Sequence, residues 1–98
     1  MAKKKYKPLP DTVTLRNSQI HGIGVFSTTY IEPGTEIGVS HWKCCGQIHR
    51  TPLGAFYNHS DTPNCKKVRQ AGSVYILTAI KEIKPAEELT VDYTFYRV

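Results

Sequence analysis

Ninety-eight residues, 40% hydrophobic and 21% charged, are enough for one hydrophobic core and too few for a second. No apolar run approaches the roughly 20 residues that span a bilayer, and the Met1-Ala-Lys-Lys-Lys-Tyr-Lys7 start lacks the apolar stretch of a secretory signal, so an intracellular, cytoplasmic protein with no membrane association is expected. The formal charge is +5, but Lys3, Lys4, Lys5 and Lys7 carry most of it, which leaves the body near neutrality and without the basic face of a nucleic-acid binder.

Residues 1–12 read as a basic tail, and Pro8-Leu-Pro10 enforces an extended entry into a single domain over 13–98. Val13-Thr-Leu-Arg16 alternates as a short strand does. Asn17 to Gly24 is turn-rich, and Val25 to Ser27 opens a second strand. Glu32-Pro-Gly-Thr35 places Pro and Gly at the two central positions of a type II turn ahead of a third strand, Glu36 to Ser40. From His41 to Pro52 no period is visible. Leu53 to Tyr57 then reads as a buried strand running into a polar turn, Asn58 to Asn64. Lys66–Gln70 and Ser73–Thr78 flank Ala71-Gly72 as a hairpin, and the second of these is apolar enough to be buried along its length. Lys84-Pro-Ala-Glu87 is a further turn, followed by a strand from Glu88 to Val91 and an aromatic end at Tyr93, Phe95 and Tyr96. Nothing keeps a 3.6-residue apolar period for ten residues, so any helix is one or two turns and the domain is mainly β. One echo is present: Ile31-Glu-Pro-Gly-Thr-Glu-Ile37 and Ile83-Lys-Pro-Ala-Glu-Glu-Leu89 share Ile, Pro, Glu and a final aliphatic at equivalent positions, as if one strand–turn–strand unit were used twice.

Three cysteines, Cys44, Cys45 and Cys65, are an odd number and a poor disulfide framework, which fits reduced thiols in a cytosolic setting. With His41 and His49 they could assemble a zinc site, but none of the Cys-x-x-Cys spacings of structural zinc modules is present, and no metal is expected.

Three motifs occur in order: Gly22-Ile-Gly-Val-Phe26, then Asn58-His-Ser60 with Pro63-Asn-Cys65, then Glu87-Glu-Leu-Thr-Val-Asp-Tyr93. Each is weak alone; in this order and spacing they are specific. The chain resembles the SET domain of protein-lysine methyltransferases over roughly Val13 to Tyr96, in a minimal form like the small SET proteins of viruses and without the cysteine cluster that follows many members. The resemblance implies small curled β-sheets with a knot-like C-terminal threading. It also implies S-adenosylmethionine as cofactor, and methyl transfer to the ε-amine of a lysine in a protein substrate. If the chain is virus-encoded, the location becomes the interior of a host cell.

By the same resemblance His21, Gly22, Ile23 and Gly24 line the amino-acid end of the cofactor, glycine allowing close backbone approach. Asn58 and the backbone at His59 face the methyl donor, an amide being suited to a zwitterionic group. Tyr93 is the catalytic tyrosine and also touches cofactor. Glu88 and Asp92 are assigned structural roles. Thr78 falls where many members have a Phe or Tyr that limits methylation, which implies product beyond monomethyl-lysine. A chain this short has little surface for a substrate groove, and a homodimer would complete one. A catalytically inactive SET-fold binding module and a small basic nucleic-acid-binding β protein are the competing readings.

Overall fold

A computed structural model of the chain describes residues 9–70 and 72–92. Within them β1 (Val13–Asn17) and β2 (Ile23–Ser27) form an antiparallel pair, Val13 opposite Ser27 and Asn17 opposite Ile23. The largest sheet combines β3 (Glu36–Cys44), β4 (Gln47–Arg50), β6 (Cys65–Gln70) and β7 (Val74–Ala79). It is antiparallel throughout, in the spatial order β4–β3–β7–β6. A one-turn helix, α1 (Pro52–Phe56), leads into β5 (Asn58–His59), which pairs in parallel with β8 (Thr90–Val91). The core lies between these small sheets, where Val25, Leu53, Leu77, Ile83 and Leu89 are completely or almost completely buried.

The expected β class holds, as do both Pro-containing turns and the β6–β7 hairpin. Three local expectations do not. The featureless stretch after Ser40 is a hairpin: β3 continues to Cys44, and Cys44 pairs with Gln47 across a two-residue loop. Cys45 and Gly46 in that loop both have positive φ, 56° and 78°, the mark of a type I′ turn. Its strands are largely exposed, so no apolar alternation announces them. Leu53 to Tyr57 is mostly helix, not strand. Thr51 is its N-cap, accepting a hydrogen bond from the Gly54 amide at 3.2 Å, and Pro52 occupies the first helical position, where its missing N–H costs nothing. Gly54 is required there because a Cβ would collide with the Ser40 carbonyl. In β7 only Leu77 and Ala79 are buried; its other residues are half-covered, because one face of the sheet carries the core.

The echo in the sequence is a structural symmetry. Ile31 and Ile83 form an antiparallel bridge with each other, the amide of each donating to the carbonyl of the other at 2.8 and 2.9 Å. Neighbouring backbone contacts recur in pairs offset by 52 positions, the separation of Ile31 and Ile83. The Gly34 amide donates to the Ala79 carbonyl, and the Ala86 amide to the Ser27 carbonyl. The Ala79 amide donates to the Thr35 carbonyl, and the Ser27 amide to the Glu87 carbonyl. Glu36 pairs with Thr78, and Phe26 with Glu88. Each turn therefore packs on the strand of the other copy, and the two units interlock around Ile31 and Ile83.

The turns differ in one residue that matters. Gly34 (φ 87°) and Ala86 (φ 67°) occupy the same position, the one in a type II turn that needs a left-handed conformation. Alanine there pays a backbone penalty of about 1–2 kcal/mol that glycine avoids, less the unfolded-state entropy that glycine adds. A Cβ at Gly34 would meet nothing within 4 Å, so conformation alone decides the sign. In urea denaturation Ala86→Gly should stabilise the protein by up to about 1 kcal/mol and Gly34→Ala should destabilise it by a similar amount. A loss of stability for Ala86→Gly would contradict the symmetry.

Candidate functional site

The segment between β1 and β2 is shaped by its own polar groups. The Ser18 amide donates to the Gly22 carbonyl at 2.7 Å, and the Ser18 hydroxyl accepts from the Ile20 amide at 2.9 Å, a serine turn. Gly22 takes a positive φ of 50° to close it. The loop leaves His21, Gly22 and Ile23 exposed while Gly24 is buried.

Loop, middle motif and C-terminal motif converge on the carboxylate of Glu88. The Ser18 hydroxyl lies 2.8 Å from both Glu88 oxygens. The Asn58 side-chain N–H₂ reaches Glu88 Oε2 at 2.8 Å, Ser18 Oγ at 3.1 Å and the His21 carbonyl at 3.1 Å. Gly24 belongs to the same node, since a Cβ there would overlap the Glu88 carboxylate. Four expected site residues are thus drawn together: His21 and Asn58 by a direct hydrogen bond, Gly24 by close approach, and Gly22 by closing the loop. Ile23 lies half-exposed beside them. Asn58 is 8% exposed; its two N–H bonds are committed inside the protein, and no partner for its carbonyl oxygen occurs among the described residues.

His59 follows Asn58 in β5 and is partly exposed. Its Nε2 lies 3.1 Å from Asp61 Oδ1 and its Nδ1 lies 3.8 Å from Asp92 Oδ1, so the ring spans two carboxylates and ties β5 to the end of β8. The Ser60 amide donates to the Val91 carbonyl at 3.2 Å and extends that pairing. Glu88 and Asp92 have separate partners, Glu88 in the Ser18–Asn58 node and Asp92 at His59. Tyr93, Phe95 and Tyr96 lie outside the described residues.

Two contributors carry little sequence signal. Ser18 is one of several polar residues in a turn, and only its distance from Glu88 singles it out. Asn64 imitates a strand: its side chain donates to the Glu88 carbonyl at 2.8 Å and accepts from the Thr90 amide at 2.9 Å, clamping β8 on the side away from β5. Its neighbour Cys65 is buried, and burial pushes its thiol up to about 12, where it stays protonated and inert. The zinc candidates are dispersed, and among the described residues no three metal-binding side chains come together. Among the described residues no helix is long and apolar enough to cross a membrane.

Beside the node, a groove of about 480 Å³ is lined by Arg16, Asn17, Gln19, Phe26, Ala86 and Glu88. A second hollow of about 250 Å³, largely apolar, lies against the C-terminal motif between Pro63, Cys65, Lys66, Lys67, Ile80, Val91 and Asp92.

A carboxylate held by neutral donors is sensitive to losing any of them, because removing one partner leaves a desolvated group costing about 1–3 kcal/mol. Glu88→Gln and Asn58→Ala should each destabilise the protein by that amount in chemical denaturation, and the double mutant should lose at least about 1 kcal/mol less than their sum. Additive losses would mean that the two side chains do not share one network.

A SET-domain family model matches residues 39–94, more than half of the chain. Solved structures share the fold. A Plasmodium falciparum protein described as a candidate histone methyltransferase superposes with a TM-score of 0.74 at 21% identity, over 87% of this chain and 95% of that one. A humanized mutant of the Chaetomium thermophilum Polycomb Repressive Complex 2, bound to the inhibitor GSK126, gives 0.72 at 23% identity over 86% of this chain. The same fungal complex in an autoinhibited apo state gives 0.69 at 22% identity over 86% of this chain. This chain spans only 15% of each of those two Chaetomium chains. By the match to its family model, and with a fold common to these structures, the chain belongs to the SET-domain family.

Proposed function

We propose that the chain is an S-adenosylmethionine-dependent protein-lysine N-methyltransferase, with residues 13–98 as the catalytic domain and residues 1–12 as a basic tail. The observation that carries this reading is the convergence of the three motifs on one node, with an exposed glycine turn on one side and the segment leading to Tyr93 on the other.

The residues present fit the cofactor's amino-acid end. A Cβ at Gly22 would meet nothing within 4 Å, so a ligand has room to approach the backbone of His21, Gly22 and Ile23. The Asn58 carbonyl oxygen keeps its acceptor capacity and would receive an ammonium group. The committed N–H bonds of Asn58 fix that oxygen's direction, and the backbone at His59, paired with Val91, holds the next segment rigid. When bound, S-adenosylmethionine supplies an electrophilic methyl group on a sulfonium.

What remains for the chain's own residues is positioning and electrostatics. Tyr93 follows directly on Asp92, whose carboxylate is anchored at His59; its phenol would orient the attacking amine. A lysine amine of ordinary pKa is neutral in only about one molecule in two thousand at pH 7. An apolar channel lowers that pKa by desolvation and favours the nucleophilic form. Thr78, half-buried in β7, would leave room for more than one methyl group. The partner is a protein bearing the target lysine. A homodimer that completes the substrate groove and an intracellular, cytoplasmic location belong to the same reading.

Purified protein incubated with methyl-labelled cofactor and a panel of basic proteins should transfer label to at least one of them. Tyr93→Phe should abolish transfer yet retain the ligand-induced gain in thermal stability, about 2.7 kcal/mol at 100 times the dissociation constant. Normal stabilisation with no transfer to any protein would make the chain a binding module. No stabilisation by cofactor would remove the cofactor itself.

A further inference from the structure

The tip of the β3–β4 hairpin carries two adjacent thiols that the proposed function does not use. Cys44 ends β3 and pairs with Gln47, and Cys45 and Gly46 make the turn between them. Both thiols are exposed, and their sulfur atoms lie 3.1 Å apart. Cys45 is held at a positive φ of 56°, at a turn position that Asn, Asp or Gly ordinarily fills. Cys44 and Trp42 lie on the same face of β3, two residues apart. Trp42 stacks on His49 of β4 with ring centres 4.3 Å apart, which braces the two strands directly behind the tip.

We propose that Cys44 and Cys45 form a two-sulfur binding site for a trivalent arsenic or antimony oxyacid, a site independent of the methyltransferase reading. Three other fates fit the pair less well. A disulfide needs Cα atoms about 4.4–6.8 Å apart, whereas neighbours joined by a trans peptide stand about 3.8 Å apart, and no described peptide bond is cis. A disulfide between them is strained and easily reduced, which leaves the pair as thiols. Zinc takes four ligands, and among the described residues no three metal-binding side chains come together. A linear two-coordinate metal such as copper(I) sets its sulfurs on opposite sides, roughly 4.6 Å apart for bonds of about 2.3 Å. A pyramidal trivalent centre, with similar bonds meeting near a right angle, needs them roughly 3.3 Å apart. The hairpin tip holds them close to that separation.

Protonation points the same way. The hydrogen bond to Cys45 pushes the Cys44 thiol above its ordinary value, so at neutral pH it keeps its proton. A divalent metal takes thiolates and must expel that proton, whereas condensation with an oxyacid consumes it. Each S–H and one As–OH give a sulfur–arsenic bond and one water. Two such steps bridge the pair and release two waters; the third hydroxyl stays on arsenic, which remains trivalent, and neither sulfur is oxidised. Once the first bond has formed, the second closes within the molecule at the high effective concentration that adjacency provides. Cys65 is buried and takes no part.

Reduced protein is titrated with arsenite without oxygen and followed by intact mass and by the fluorescence of Trp42, the single tryptophan. The expected result is one arsenic per chain, with a fluorescence change that saturates at the same stoichiometry. Cys44→Ser and Cys45→Ser should each weaken binding by about 100-fold or more, because the second bond can no longer close, and Cys65→Ser should retain it. A peptide of residues 42–47, whose turn is not fixed, should bind more weakly than the folded protein. Full affinity in either Cys44→Ser or Cys45→Ser would overturn the assignment, as would loss of binding in a Cys65→Ser protein that still unfolds cooperatively. Equal affinity of the peptide would reduce the pair to reactive thiols with no built site. A Cys44–Cys45 disulfide that forms with glutathione disulfide and survives an equal concentration of reduced glutathione would refute the geometric argument.

Discussion

The Glu88 carboxylate ties together three stretches of chain that lie far apart in sequence. It receives Ser18 from the first loop and Asn58 from the middle motif, and Gly24 exists as glycine because that carboxylate occupies the space of its Cβ. A half-buried acid in such a position gives up part of its hydration and regains it from fixed donors, so its partners are held in one geometry. That geometry is what the candidate site inherits. The turn at His21 and Gly22 faces outward because its inner side is spent on Asn58, and the Asn58 carbonyl is aimed because its amide hydrogens are spoken for.

The node is held in turn by the interlocking of two similar units. The bridge between Ile31 and Ile83, with paired contacts about it, brings the Glu88 segment against β2 and the Glu36 segment against β7. Equivalent buried residues, Val25 with Leu77 and Ile37 with Leu89, fill the two halves of the core. One copy has kept the glycine that its turn requires and the other carries alanine in the same left-handed conformation. The copies also differ in what they hold. Glu36 in the first is exposed and accepts from Gln70, whereas Glu88, at the corresponding position in the second, anchors the site.

Much of this was legible because turns announce themselves. Pro-Gly and Pro-Ala at the centre of four-residue turns, and Ala71-Gly72 between two strands, are local signals with local causes. The order of the three motifs was legible through resemblance, and their meeting at one node agrees with it. What could not be read is what depends on partners distant in sequence. Leu53 to Tyr57 looks like a strand by composition, but Thr51 and Pro52 start a helix whose Gly54 is fixed by contact with Ser40. The β3–β4 hairpin is exposed on most positions, so burial writes no period into it. Asn64 looks like turn chemistry and is instead a side chain taking the place of a strand neighbour. Ser18 gains its meaning only from Glu88, 70 positions away.

Titration of isotopically labelled protein with S-adenosylhomocysteine, followed by amide and Asn side-chain resonances, tests most directly whether His21 to Gly24 and Asn58 to His59 form one cofactor face held from behind by Glu88. Shifts should concentrate at His21, Gly22, Ile23, the Asn58 side chain and His59, and in Glu88→Gln the affinity should fall although the protein remains folded. Saturable binding that leaves these resonances unmoved, or that is unchanged in Glu88→Gln, would contradict it.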